Sequence, residues 1–174
     1  DAGAIISNDD KFAEKARMFA NHGALKKHHH EFEGINSRLD GIQAAILSTK
    51  LKYIHQWTDL RIQHAKKYSE LLSDVDNIYT PVTHQDAKHV FHLYVIRTQQ
   101  RDRLQSHLNN NSIASGIHYP TPLPFLKAYN YLGYNTDDFP VSYDYKDKIL
   151  SLPMYPELSD KQIMYIVDSI KEAL

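Results

Sequence analysis

Apolar and polar residues follow one another along this chain in blocks whose periods predict an α/β protein. A short apolar stretch, Ala4-Ile5-Ile6-Ser7, predicts a buried strand. Asn8, Asp9 and Asp10 then supply a cap for a helix from Lys11 to Asn21, along which Phe12, Ala16 and Phe19 recur at helical spacing. His22-Gly23 predicts its end, because glycine accepts the left-handed backbone that closes a helix. Residues 24–36 are polar, rich in His and Glu, and carry Gly34. This is a loop long enough to have a function, although a plain surface loop would have the same pattern. From Arg38 to Leu72, the positions Leu39, Ile42, Ile46, Tyr53, Trp57, Leu60, Tyr68 and Leu71 recur mostly at three and four with no proline between them. They predict one long helix, or two joined by a bend. Such a length exceeds that of ordinary globular helices and suits a bridge between two lobes or an interface.

Beyond Pro81 the pattern is that of a compact α/β lobe. His89 to Arg97 is β-branched and aromatic and predicts a strand, on which His89 and His92 would face opposite sides, one buried and one exposed. Arg101 to Asn109 predicts a helix through Leu104 and Leu108, stopped by Asn110 and Asn111. A second strand is expected around Ile113 to Tyr119; Pro120, Pro122 and Pro124 exclude its continuation. Ser159, with Gln162 three residues on, forms a capping box for a final helix whose buried stripe is Ile163, Ile166, Val167 and Ile170.

Composition narrows the function classes. The chain has 174 residues with 20 Lys+Arg against 21 Asp+Glu and no concentrated basic stripe, which argues against a dedicated nucleic-acid binder. No apolar run approaches the ~20 residues of a membrane span, and the first residues lack the basic and long apolar regions of a signal peptide. The absence of Cys excludes disulfides, thiolate zinc sites and a cysteine nucleophile, and fits a cytoplasmic protein. Beginning without Met and entering an apolar stretch at once, the chain reads as a fragment of a longer protein. The sequon Asn110-Asn111-Ser112 reads as chance.

Eleven histidines include the run His28-His29-His30, with His22, His84, His89 and His92 elsewhere. Consecutive histidines rarely aim inward together and no HExxH accompanies them, so no metal site is expected. Nucleophile elbows, Walker loops and dinucleotide glycine fingerprints are missing; Asp9-Asp10 and Asp137-Asp138 read as caps or turns. The informative segment is Gly34-Ile35-Asn36-Ser37-Arg38-Leu39-Asp40, where a loop enters a helix. Asn36 or Ser37 fits a simple N-cap; an amide, a hydroxyl and a guanidinium at a helix N-terminus equally suit an anionic group.

Several motifs stand in one order: Asp1-Ala2-Gly3-Ala4, Asn21-His22-Gly23, His30 to Asp40, Gln43-Ala44-Ala45-Ile46-Leu47, Gly116-Ile117-His118-Tyr119-Pro120 and Leu150-Ser151-Leu152-Pro153-Met154-Tyr155-Pro156. In that order they resemble the DegT/DnrJ/EryC1/StrS family of pyridoxal-phosphate-dependent nucleotide-sugar aminotransferases, over essentially the whole chain. The resemblance implies a fold type I aminotransferase, represented here by its C-terminal part. Residues 1–36 would be a remnant of the large cofactor domain with an active-site loop, 37–72 a long interdomain helix and 73–174 the small α/β domain. The family's catalytic lysine would lie upstream of Asp1, so that these residues alone would be inactive.

The implied reaction moves an amino group, commonly from glutamate, to a keto group of a nucleotide-linked sugar, with pyridoxal 5'-phosphate as cofactor and a homodimer sharing its active sites. By resemblance Asn36 would reach into the neighbouring subunit to the cofactor phosphate. Arg38, His118 and Tyr119 would line the neighbour's nucleotide-sugar pocket, with His22 close to the same cleft. Lys26, Lys27 and His30 belong to the loop that approaches the diphosphate; His28 and His29 depart from the family pattern and carry no implied role. Two alternatives stand beside this reading: a sugar-binding or interaction module of the same fold without transaminase activity, and a cofactor-dependent sugar dehydratase.

Overall fold

The computed structural model describes residues 3–174. Asp1 and Ala2, the first half of the D-A-G-A segment, lie outside the described residues. The chain divides into two compact units, Asp1–Lys52 and Tyr53–Leu174.

The first unit holds helices α1 (Asp10–Ala20) and α2 (Gly41–Leu51) and the loop between them. Asp9 caps α1, its carboxylate accepting from the N–H groups of Lys11 and Phe12 at 2.9 and 3.1 Å. Met18 is the buried residue of α1, whereas Phe12 and Phe19, the expected stripe, are about half exposed. The expected strand Ala4–Ser7 does not form. No strand pairs with it among the described residues, and an extended segment without a neighbour has no ladder to join. Helix α2 begins at Gly41 behind Asp40, whose N–H donates to the Gln43 side chain at 3.3 Å. Asn36 and Ser37 therefore lie ahead of the helix and are not its caps.

The expected 37–72 helix is two helices, α2 and α3 (Ile54–Leu71). A turn at Lys52 and Tyr53 (Tyr53 φ −107°, ψ −4°) separates them, and the Trp57 N–H to Tyr53 carbonyl bond of 2.9 Å starts α3.

The second unit is built on a two-stranded antiparallel sheet, β1 (Tyr94–Arg97) with β2 (Ile149–Leu152), in the register Tyr94↔Leu152, Ile96↔Leu150. Single bridges extend it on both edges, Tyr79 to Arg97 beside β1 and Gly116 to Ser151 beside β2. Three helices build the rest of the core: α3, α4 (Arg101–Asn110) and, after the short α5 (Pro140–Tyr145), α6 (Asp160–Ala173). Tyr68 and Leu72 from the α3 end, Tyr94 and Ile96 from β1, Leu104 and Leu108 from α4, and Leu150 and Leu152 from β2 close on Ile163, Ile166, Val167 and Ile170 of α6. The capping box at Ser159 and Gln162 is present as expected.

Both strand expectations need correction. Strand β1 covers only Tyr94–Arg97, because Phe91 adopts a left-handed backbone (φ 48°) and its N–H goes to His89 Nδ1 at 2.8 Å instead of a ladder. The carbonyls of Phe91 and His92 are taken by Arg61 at 3.3 and 3.4 Å. His89 and His92 are accordingly both exposed, not one buried and one exposed. Residues 113–119 form no strand: Gly116 pairs with Ser151 in both directions, but Ile113 N–H instead closes the end of α4 on Leu108.

Three side chains on one face of α3 hold the segment that follows β2. Arg61 donates to the Met154 carbonyl at 2.8 Å, His64 to that of Pro156 at 3.0 Å, and Tyr68 to that of Pro153 at 3.1 Å. The Leu-Pro-Met-Tyr-Pro run is thus fixed by donors from a helix some ninety residues earlier in sequence. Among the described residues no helix is long and apolar enough to cross a membrane.

Candidate active-site residues

The last carbonyls of a helix have no partners within it. At the C-terminus of α1 the loop 21–37 supplies them: Met18 accepts from Gly23 N–H at 2.7 Å, Phe19 from Ile35 at 2.8 Å and Ala20 from Ser37 at 2.9 Å. The turn needs glycine at Gly23 (φ 74°), where a Cβ would collide with the Phe32 carbonyl, and at Gly34, where it would meet the backbone of Phe19 and Gly23. The loop thus folds back on α1 and bridges Asn21 to Asn36.

That closure brings three polar side chains together. Arg38 Nε donates to Asn36 Oδ1 at 3.1 Å and its Nη1 to Asn21 Oδ1 at 3.4 Å, while Asn21 Nδ2 donates to the Ala24 carbonyl at 2.7 Å. The Asn36 amide nitrogen has no acceptor among the described residues, and Arg38 no carboxylate partner. A hollow of about 560 Å³ opens beside Arg38, lined also by Ser37, Leu39, Gln43 and Ile46. An amide donor and a guanidinium, both exposed and both oriented by neighbours, suit an anionic oxygen group.

The same loop carries the other candidates of this unit. His30 Nδ1–H donates to the His22 carbonyl at 2.8 Å, so these two are brought together. Lys26 and Lys27 are exposed beside a tight turn, His29 N–H to Lys26 carbonyl at 3.0 Å, and form no ion pair among the described residues. No group of three or more His, Asp or Glu able to hold a metal ion occurs among the described residues.

In the second unit His118 and Tyr119 are adjacent to the sheet edge. The His118 ring bonds Ser151 Oγ at 2.9 Å through Nδ1, and Tyr119 is 72% exposed. Tyr119 stands on the rim of a largely apolar cleft of about 690 Å³ formed with Pro120, Leu123, Leu126, Tyr145 and Lys146. The hydrogen bond to Asp147 holds the Lys146 amine above the usual lysine range, which keeps it a cation. Nearby, Arg97 lies over the Tyr145 ring at 4.4 Å and the Tyr79 ring at 5.3 Å. Sequence reasoning assigned no role to Asn21 or Ser151; both lie within the motifs Asn21-His22-Gly23 and Leu150-Ser151-Leu152, which was the available signal. Ser115 Oγ is buried without a partner among the described residues.

Residues 1–171 match the model of the DegT/DnrJ/EryC1/StrS aminotransferase family. This chain belongs to that family. It is 42% identical to a pleiotropic regulatory protein of Geobacillus stearothermophilus, over 99% of this chain and 47% of that protein. It is 36% identical to a dTDP-3-amino-3,4,6-trideoxy-alpha-D-glucose transaminase of Streptomyces venezuelae, over 99% of this chain and 45% of that one. Among solved structures, S. venezuelae DesV superimposes with a TM-score of 0.90 at 35% identity, over 96% of this chain and 45% of DesV. The chain spans about half the length of the relatives it matches, and its fold is that of the fold type I sugar aminotransferases.

Proposed function

We propose that this chain is the C-terminal part of a pyridoxal 5'-phosphate-dependent enzyme that moves an amino group, from glutamate, to a keto group of a nucleotide-linked sugar. Cell-surface polysaccharide or deoxyamino-sugar biosynthesis in the cytoplasm would be its setting. The observation that carries the reading is the arrangement at Asn36: its oxygen is engaged by Arg38, its amide nitrogen has no acceptor among the described residues, and the loop that caps α1 fixes both.

The donor set fits the cofactor. A free amide N–H is the chemistry a phosphate oxygen needs, and among the described residues no carboxylate pairs with the neighbouring guanidinium. Bound pyridoxal 5'-phosphate would supply an electron sink for the carbon that gains or loses the amino group. Asn36 would hold its phosphate in the partner subunit of a homodimer with shared sites. Arg38 would bind an anionic group of the nucleotide sugar; Lys26, Lys27 and His30 would attract its diphosphate, with His22 shaping the same loop. His118 and Tyr119 would bind the substrate from the second unit. The three segments of the resemblance, 1–36, 37–72 and 73–174, would then serve as cofactor-domain remnant, connecting helices and small domain.

The name of the Geobacillus relative favours a second reading, an interaction module of this fold without transaminase activity. One experiment separates them. The full-length protein is incubated with pyridoxal 5'-phosphate, glutamate and a dTDP-linked keto sugar, and 2-oxoglutarate and cofactor retention are measured. The enzyme reading expects stoichiometric 2-oxoglutarate and a 10- to 100-fold loss of cofactor affinity in Asn36→Ala, the scale of a hydrogen bond to a charged group. A protein that retains no cofactor and forms no product is the interaction module.

A further inference from the structure

Ser151 lies within β2, its backbone opposite Val95 on one side and bonded to Gly116 on the other, by Ser151 N–H to Gly116 O at 2.7 Å and Gly116 N–H to Ser151 O at 3.1 Å. Strand alternation turns its side chain away from the face of Leu150 and Leu152. The residue is nonetheless only 4% exposed, and its Oγ lies 2.9 Å from His118 Nδ1. That ring nitrogen is the only hydrogen-bond partner of Oγ among the described residues.

A serine hydroxyl has one proton to donate, and a neutral imidazole has one protonated nitrogen. If Nδ1 carried the ring proton it would donate to Oγ, and the buried hydroxyl proton would have no acceptor. If Nδ1 is bare, the hydroxyl donates to it and both groups are satisfied. Polar accounting at the buried Ser151 hydroxyl, beside an exposed imidazole whose Nε2 can reach solvent, selects the second arrangement, because an unmade buried hydrogen bond is the costly state. Gly116 makes room for it: a Cβ there would approach His118 Cε1 to 2.8 Å and push the ring away from Oγ.

We infer that Ser151 is a positioning residue that holds neutral His118 in its Nε2–H tautomer, so that the imidazole offers the nucleotide sugar a hydrogen-bond donor and selects an acceptor oxygen. The inference rests on the assignment of His118 to substrate binding made above. Second-group control of a histidine's tautomer is the same device that orients metal-binding and catalytic imidazoles elsewhere. Gly116 and Ser151 act together, one by absence of a side chain and one by its hydroxyl.

The test uses the full-length protein, ¹⁵N-labelled at its histidines, at about pH 8.5, well above the ordinary imidazole pKa, with long-range ¹H–¹⁵N correlation of the histidine rings. His118→Gln identifies the His118 signals by their loss. The wild-type ring should show Nδ1 at the unprotonated position and Nε2 at the protonated one. In Ser151→Ala the two nitrogen shifts should move towards each other as the second tautomer becomes populated, and in Ser151→Thr, which keeps a hydroxyl, they should stay apart. Gly116→Ala, with Ser151 intact, should reproduce the Ser151→Ala pattern, and it carries the test if Ser151→Ala fails to fold. A wild-type ring protonated on Nδ1, or shifts unchanged in both Ser151→Ala and Gly116→Ala, overturns the inference. Titration of dTDP-glucose into the full-length protein separates the two layers: equal affinity of wild type and His118→Gln would remove His118 from substrate binding while the tautomer result stands. If both readings hold, Ser151→Ala weakens dTDP-glucose about fivefold, the worth of one neutral hydrogen bond.

Discussion

Tyr68→Phe removes one oxygen from the centre of the second unit and leaves its ring in place. The Tyr68 side chain is fully buried and its ring stacks on Tyr94 with centroids 5.0 Å apart, contacts that phenylalanine keeps. What is lost is the 3.1 Å bond to the Pro153 carbonyl, so the expected cost is the bond plus a poorly partnered acceptor, about 1–1.5 kcal/mol. For a unit of this size that is a fall of about 4–6 °C in Tm. Trp57, the sole tryptophan, lies in α3 and makes fluorescence a reporter of this unit's unfolding. The pH dependence gives a second, signed test. Burial, reinforced by Tyr155 and Tyr94, pushes the Tyr68 hydroxyl well above the ordinary tyrosine range. Below about pH 10 the tyrosine is protonated in both folded and unfolded chains, so the gap between wild type and Tyr68→Phe should be constant. Above about pH 10 the unfolded chain releases a proton that the folded chain keeps, and the wild type loses up to about 1.4 kcal/mol per pH unit that the variant does not. The gap should therefore narrow between about pH 10 and 11. Melts that coincide at pH 7, or a gap undiminished at pH 11, would refute the account of Tyr68 as a buried neutral donor.

Other consequences can be measured in the same way. Ile170, fully buried on α6, should cost about 2–5 kcal/mol as Ile170→Ala, read by urea unfolding; a loss below 1 kcal/mol would mean that α6 is not the wall of this core. The Lys67 amine, 2.7 Å from Asp160, lowers that carboxyl's pKa, so the pair's contribution is present at neutral pH and is lost as pH falls through and below the ordinary carboxylate range. In Lys67→Met the acid limb of stability should accordingly be shallower, and an unchanged limb counts against the pair. If the proposed homodimer with shared active sites holds, a full-length chain with the expected Schiff-base lysine replaced, co-expressed with one carrying His118→Ala, should regain activity in roughly one quarter of its sites, by the symmetry of random pairing in a two-fold dimer. Confirmed mixed dimers as inactive as their parents would place His118 in its own subunit's site.

Local signals were legible in the sequence because the groups that satisfy them are a few residues apart. Asp9 at the start of α1, the Ser159 and Gln162 box, and the stripe Ile163, Ile166, Val167 and Ile170 depend only on helical geometry and on one apolar face needing cover. The chemistry of the candidate residues was legible to the same depth: in the first unit an amide at Asn36 and a guanidinium at Arg38, and in the second an imidazole at His118, are visible as residue types in order. Tertiary structure decided which of these groups touch. Asn36 and Arg38 are oriented because Ile35 and Ser37 complete the C-terminus of α1, which also draws in Asn21. His118 meets Ser151, 33 residues away, across a single bridge that was expected to be a strand. Strand β1 begins only at Tyr94 because His89 and Arg61 take the backbone groups of Phe91 and His92, and the break before Ile54 has neither proline nor glycine to announce it. Hydrophobic period reports which face is covered. The partner of each remaining N–H and C=O is chosen among groups distant in sequence, and only the folded chain brings those within hydrogen-bond distance.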